Sequence, residues 1–251
     1  MSPFAAHPHQ PDSRYAMLRL FITLLIMTVG SSGMYVVSVV LPAVQADFGV
    51  ARAEASLPYT LLMIGFGIGG VVMGKLADRY GVMWPLLLGA MCVGAGYVAS
   101  SFAGSILAFS LVQALLIGVG SGAVFAPLVA DTSLWFVKRR GMAVAVCASG
   151  NYLAGAVWPP IVQRFVEAAG WRATYVGLGV FCGLAMAGLA LLMRPRPPAL
   201  AVPSSPVSAS GSPLVTTTMR PFGLSLGVAQ GLLCVAGAAC CVAMAMPQVH
   251  I

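Results

Sequence analysis

An all-α bundle of seven membrane-crossing helices is the fold class this sequence predicts, and three observations carry it. Of the 251 residues, 59% are hydrophobic and only 8% are charged, whereas soluble domains carry about 25% charged residues. The mean hydropathy is +0.94. The few charges are also confined to short islands, between which residues 20–46, 55–74, 81–130, 141–163, 173–193 and 221–251 contain no Asp, Glu, Lys or Arg.

Residues 1–19 are polar, with Pro3, Pro8 and Pro11 and the bases Arg14 and Arg19, and are expected to form a disordered tail. Span 1 follows over 20–46. Its apolar run is too long for a signal peptide, whose core has about 7–15 residues, and matches the roughly 20 residues that cross a bilayer. Ser31, Tyr35 and Ser38 fall on one face of this helix, and such a polar stripe points to the interior of a bundle.

Span 2 is expected over about 56–75. Gly65, Gly67 and Gly70 there match the dinucleotide fingerprint GxGxxG, but that motif needs a preceding strand and an acid about 20 residues on. The match is spurious inside an apolar run. Gly65/Gly69 and Gly70/Gly74 are instead expected to let helix backbones approach closely in lipid. Residues 81–130 are too many for one crossing at about 1.5 Å per residue through about 30 Å of hydrocarbon, so a break at residues 100–105 divides them into spans 3 and 4. Span 4 carries Gln113 and is expected to end at Pro127 and Asp131. Span 5 follows over 141–163, with Asn151, Tyr152 and the tandem Pro159-Pro160, which predict a kink or a helix end. A loop holding Arg164, Glu167, Gly170 and Arg172 leads to span 6 over 173–193. Residues 194–220, rich in Pro, Ser and Thr, read as a cytoplasmic linker, and 221–251 as span 7.

With the loops alternating, ten of the 13 bases fall on one side: Arg14, Arg19, Lys75, Arg79, Lys138, Arg139, Arg140, Arg194, Arg196 and Arg220. The positive-inside rule makes that side cytoplasmic, which puts the N-terminus inside and the C-terminus outside a cell membrane crossed several times. The six acids divide equally between the two sides, so the whole net charge of +7 lies on the inner one. Topology and anionic lipid account for it, and nucleic acid is not an expected partner.

Cys92, Cys147, Cys182, Cys234, Cys240 and Cys241 all stand in apolar runs, with no CxxC pair and no His at ligand spacing. They read as small apolar packing groups. No cofactor, metal site or catalytic set is expected, and so no enzyme.

The island between spans 2 and 3 reads Gly74-Lys75-Leu76-Ala77-Asp78-Arg79-Tyr80-Gly81. It resembles the signature loop of the major facilitator superfamily of secondary transporters, with Val82 and Met83 standing where that family usually has bases. Leu41-Pro42, Asp47-Phe48-Gly49-Val50, Trp135-Phe136, Arg139-Arg140-Gly141 and Gly170-Trp171-Arg172 look like its monocarboxylate and oxalate/formate branch. The span 5 motif Gly-x-x-x-Gly-Pro of the drug-efflux branch, the alternative within the superfamily, is not matched by Gly150–Gly155.

The resemblance implies alternating-access transport of small organic anions such as monocarboxylates. It also implies a conformational latch at Gly74, Asp78, Arg79 and Gly81, in which Asp78 pairs with Arg79 or another base, and Asp131 is a second acid. Against the latch stands the plain reading of surface charges with no conformational role. Tyr35, Gln113, Asn151 and Tyr152 are candidates to line the substrate path, or else interhelical glue. No carboxylate or lysine lies deep in a span to relay a proton, so any proton coupling would need a charged group from elsewhere. The family has about twelve spans in two halves, which predicts that seven make a truncated carrier unless two copies assemble. Other classes that fit a helical bundle are an inactive membrane scaffold and a seven-helix receptor or retinal protein. For the last, an outside N-terminus or a lysine in span 7 is missing.

Overall fold

The structure, a computed structural model, describes residues 12–50 and 56–194, together with Val228, Gly231, Leu232 and Val235. The chain divides into residues 1–200 and 201–251. In the second unit the four described residues are helical, and the expected linker from 195 on and most of span 7 lie outside the described residues. Within the first unit, the regular elements described are all helices.

Span 1 comprises Arg14–Gly30 and Ser32–Phe48, offset at Ser31 (φ −80°, ψ 0°). The expected tail of 1–19 therefore ends sooner. Ser13 caps the helix, its Oγ accepting from the Ala16 N–H at 3.2 Å, and a serine in that position satisfies one of the orphan donors of a first turn. Leu20 and Ala16 bury the same stretch against the bundle.

Span 2 runs over Leu57–Tyr80. The expected polar turn at 74–81 is in fact the last two turns of this helix, and the chain reverses only at Gly81 (φ 87°, ψ 166°). Lys, Leu, Ala and Arg are strong helix formers, and only glycine takes the positive φ without strain. Span 3 is Met83–Ser101. Span 4 is compound: Ile106–Val112, a π-helical segment Gln113–Gly118, Val119–Gly122 and Phe125–Trp135. It passes the expected end because Pro127 sits in the first turn of Phe125–Trp135, where its missing N–H has no intrahelical partner to lose.

Spans 5 and 6 form one track, Arg140–Leu191, of 52 residues, in which only Gly170 is non-helical (φ 80°, ψ 161°). At about 1.5 Å per residue that is more than twice a bilayer core, so the glycine separates two crossings. Pro159 and Pro160 end nothing, since the helix continues through them, and the loop expected at 164–172 is helical apart from Gly170. Among the described residues five tracks are long and apolar enough to cross a membrane. With the break at Gly170 they make six crossings, a multi-pass membrane bundle.

Glycines set how closely the spans pack. A methyl group on Gly65 would strike the Ala114 carbonyl, one on Gly69 would lie 2.5 Å from the Val119 oxygen, and one on Gly122 2.5 Å from Gly69. Spans 2 and 4 thus meet backbone to backbone, as close-packed helices in lipid do. Gly70 and Gly74, expected to act likewise, have nothing within 4 Å on that side among the described residues. Gly94 and Gly179 bring spans 3 and 6 together in the same way. Ile64, Ile68, Val71, Leu107, Leu115, Val180 and Leu184 are exposed, which suits a surface solvated by acyl chains.

Candidate functional site

All the residues expected in the signature latch line one groove of about 510 Å³ at the base-rich end of the bundle. Gly74, Asp78 and Arg79 come from the last turns of span 2, Gly81 from the reversal, and Asp131 from span 4, with Pro127 and Ala130 beside it. The Gly81 N–H donates to the Ala77 carbonyl at 2.8 Å, which fixes the end of the helix under the acid. Arg79 lies over its neighbour Tyr80, its Cζ 5.4 Å from the ring centre.

The expected pairing of Asp78 is not present. Among the described residues no cation comes within 4 Å of it, and the ion pairs found are Arg19–Asp131 and Arg172–Asp47. Asp78 and Arg79 are both exposed on the groove.

Asp131, by contrast, is buried and held by Arg19, a residue that the sequence places in the tail. The guanidinium Nε donates to one carboxylate oxygen at 3.0 Å and Nη2 to the other at 3.1 Å. Nη1 reaches the Met193 carbonyl just beyond span 6 at 3.4 Å, and Cζ stands 4.7 Å from the centre of the Trp135 ring. The two side chains are 4% and 1% exposed. A fork of parallel hydrogen bonds is the geometry in which guanidinium and carboxylate bind best, and burial in a membrane bundle demands such pairing. One arginine thereby ties together spans 1, 4 and the end of 6.

The four path candidates separate. Gln113 is fully buried and its amide nitrogen donates to the Tyr175 hydroxyl at 2.9 Å. Tyr175 meets Tyr97 edge-on at 5.2 Å, and the Tyr97 hydroxyl donates to Ser32 Oγ at 3.1 Å. Gln113 is thus part of a seam of two hydrogen bonds and a ring contact that joins spans 1, 3, 4 and 6. Tyr35 is half-buried with its ring against Gly155, and Tyr59 and Tyr152 lie within electrostatic reach of it. Tyr152 is 59% exposed, and Asn151, one helical turn before Gly155, shares the face that meets Tyr35. Tyr35 and Tyr152 therefore lie near one another, with Asn151 one turn from Gly155 on the same span, and Gln113 does not join them.

Residues 21–249 match the family model described as the Major Facilitator Superfamily. Monocarboxylate transporter 11 of Homo sapiens is 33% identical over 165 residues, 63% of this chain and 34% of that protein. A probable sulfoacetate transporter of Cupriavidus necator is 29% identical over 144 residues, 57% of this chain and 33% of that one. A riboflavin transporter of Trypanosoma cruzi is 30% identical over 130 residues, 51% of this chain and 28% of the other. The chain spans about a third of the length of the curated relatives it matches.

Proposed function

The chain belongs to the major facilitator superfamily, and from that premise we propose that it serves secondary transport of small organic anions, monocarboxylates among them, by alternating access. The observation that carries this reading is the groove in which Gly74, Asp78, Arg79 and Gly81 face Asp131. An exposed acid beside the small-residue end of span 2, with no cation within 4 Å among the described residues, is placed to pair with a group from outside this six-span unit. A contact made in one conformation and broken in the other is what a latch requires. The names of two relatives, a monocarboxylate transporter and a probable sulfoacetate transporter, support an anionic substrate, while a third is named for riboflavin, an uncharged one.

In this reading the substrate passes beside Tyr35, Asn151 and Tyr152, near the midplane between two halves, and the second half comes from further helices or a second copy. The base-rich end, with the N-terminus, is cytoplasmic. Any proton coupling uses a group other than Asp131, whose carboxylate is occupied by Arg19.

The test is uptake of labelled lactate and sulfoacetate into proteoliposomes. Asp78→Asn is expected to abolish uptake while membrane insertion and thermal unfolding stay as in the wild type, and unchanged uptake rejects the latch. Failure of either anion to compete with the other's uptake rejects the substrate class.

A further inference from the structure

A second groove at the base-rich end takes no part in the latch. It occupies about 480 Å³ between the first turns of span 1 and the start of span 5, within the roughly 300–1,000 Å³ of small-ligand sites. Leu20, Phe136, Met142 and Val146 line its body, and Lys138 and Arg139 stand at its mouth with Asp12. The Asp12 carboxylate is already engaged, one oxygen accepting from the N–H groups of Val137 and Lys138 at 3.4 and 3.1 Å. Two bases against one acid leave a single positive charge at the mouth. Both bases are exposed and free of ion pairs among the described residues.

We propose that this groove binds one anionic phospholipid of the adjoining leaflet, with its phosphate between Lys138 and Arg139 and an acyl chain along Met142 and Val146. The chemistry of the two ends selects the ligand. A mouth carrying one net positive charge complements one phosphodiester, and basic pockets between spans at a membrane face hold anionic headgroups. The body is apolar and opens to the membrane, with Met142 57% and Val146 38% exposed, so a soluble anion would leave it uncovered. Methionine adapts its shape to an irregular neighbour such as an acyl chain. The inference rests on the membrane-spanning fold and not on transport, so the failure of either reading leaves the other standing.

The experiment is native mass spectrometry of the whole chain released from nanodiscs that contain phosphatidylglycerol and phosphatidylcholine with identical acyl chains. The wild type is expected to retain one phosphatidylglycerol. Lys138→Gln and Arg139→Gln should each lower retention about fivefold. Val146→Trp, which fills the groove and keeps both charges, should lower it as well. Arg140→Gln removes the same charge next door, from a side chain that bonds Ser133 Oγ instead of lining the groove, and should leave retention unchanged. Equal retention of phosphatidylcholine overturns the proposal, as does retention by the Val146→Trp variant at the wild-type level. An equal loss on Arg140→Gln would reduce the effect to diffuse surface charge and overturn it too. Deletion of residues 2–11 should change nothing, and a rise in bound lipid would show that the groove's occupant is that segment of the chain.

Discussion

Each end of the bundle is closed by an arginine that takes a carboxylate, a tryptophan face and a carbonyl beyond a helix end, yet the two closures sit in different solvents. At the base-rich end Arg19 holds Asp131, lies over Trp135 and reaches the Met193 carbonyl, with both charged side chains almost wholly buried. At the other end Arg172 meets Asp47 at 3.0 Å with side chains 45% and 44% exposed. It lies 4.5 Å over Trp171 and donates to the carbonyls of Ser101 and Ala103 at 2.8 and 3.2 Å. The ion-pair distances are equal, so distance does not rank them. Burial does: water screens the exposed pair and stabilises its partners when separated, whereas the buried pair has no other solvent.

The sharpest way to break the comparison is to remove one partner of the buried pair. Arg19→Leu is expected to destabilise the bundle by about 3–5 kcal/mol, because it strands a buried carboxylate. Steric-trap unfolding in bicelles measures it. Arg19→Leu with Asp131→Leu should recover most of the loss, since replacing both members of a buried pair by apolar groups is often neutral. If the double variant is as unstable as the single one, the geometry of the fork matters more than charge burial.

Arg172→Ala comes next, at about 1–2 kcal/mol, because it loses two hydrogen bonds to span-end carbonyls as well as the ion pair. Asp47→Asn should cost less than about 1 kcal/mol. That effect should fade in 1 M salt, where the screening length is about 3 Å, while the Arg19→Leu effect should not. A salt-insensitive Asp47→Asn would make the two ends alike.

The same contrast marks how far the sequence could be read. Uncharged runs of hydrocarbon length predict the crossings because a spanning helix needs about 20 predominantly apolar residues. The Gly65/Gly69 pair is legible for a similarly local reason. Arg19 is not, since its partner lies 112 residues away and a base before an apolar run looks like any membrane-flanking charge. The one local hint was Ser13, a cap residue immediately before Arg14 that starts the helix early enough to carry Arg19 inside. Gly170 reads from sequence only as part of a loop, although a lone glycine between two good helical stretches can make the whole reversal. Gln113 reads from sequence more readily as glue than as path, but its partner is hidden, because nothing in its own span reveals that Tyr175, from span 6, comes to meet it.

The wide turn Gln113–Gly118 gives the groove and the buried closure a common dependence. A π segment accommodates one more residue than an α-helix over the same rise, so everything after it is swivelled by about 100° relative to an uninterrupted helix. Asp131 lies downstream of that offset. Excising a single residue between 113 and 118 would restore regular winding and aim the carboxylate away from Arg19, with every side chain of the pair still in place.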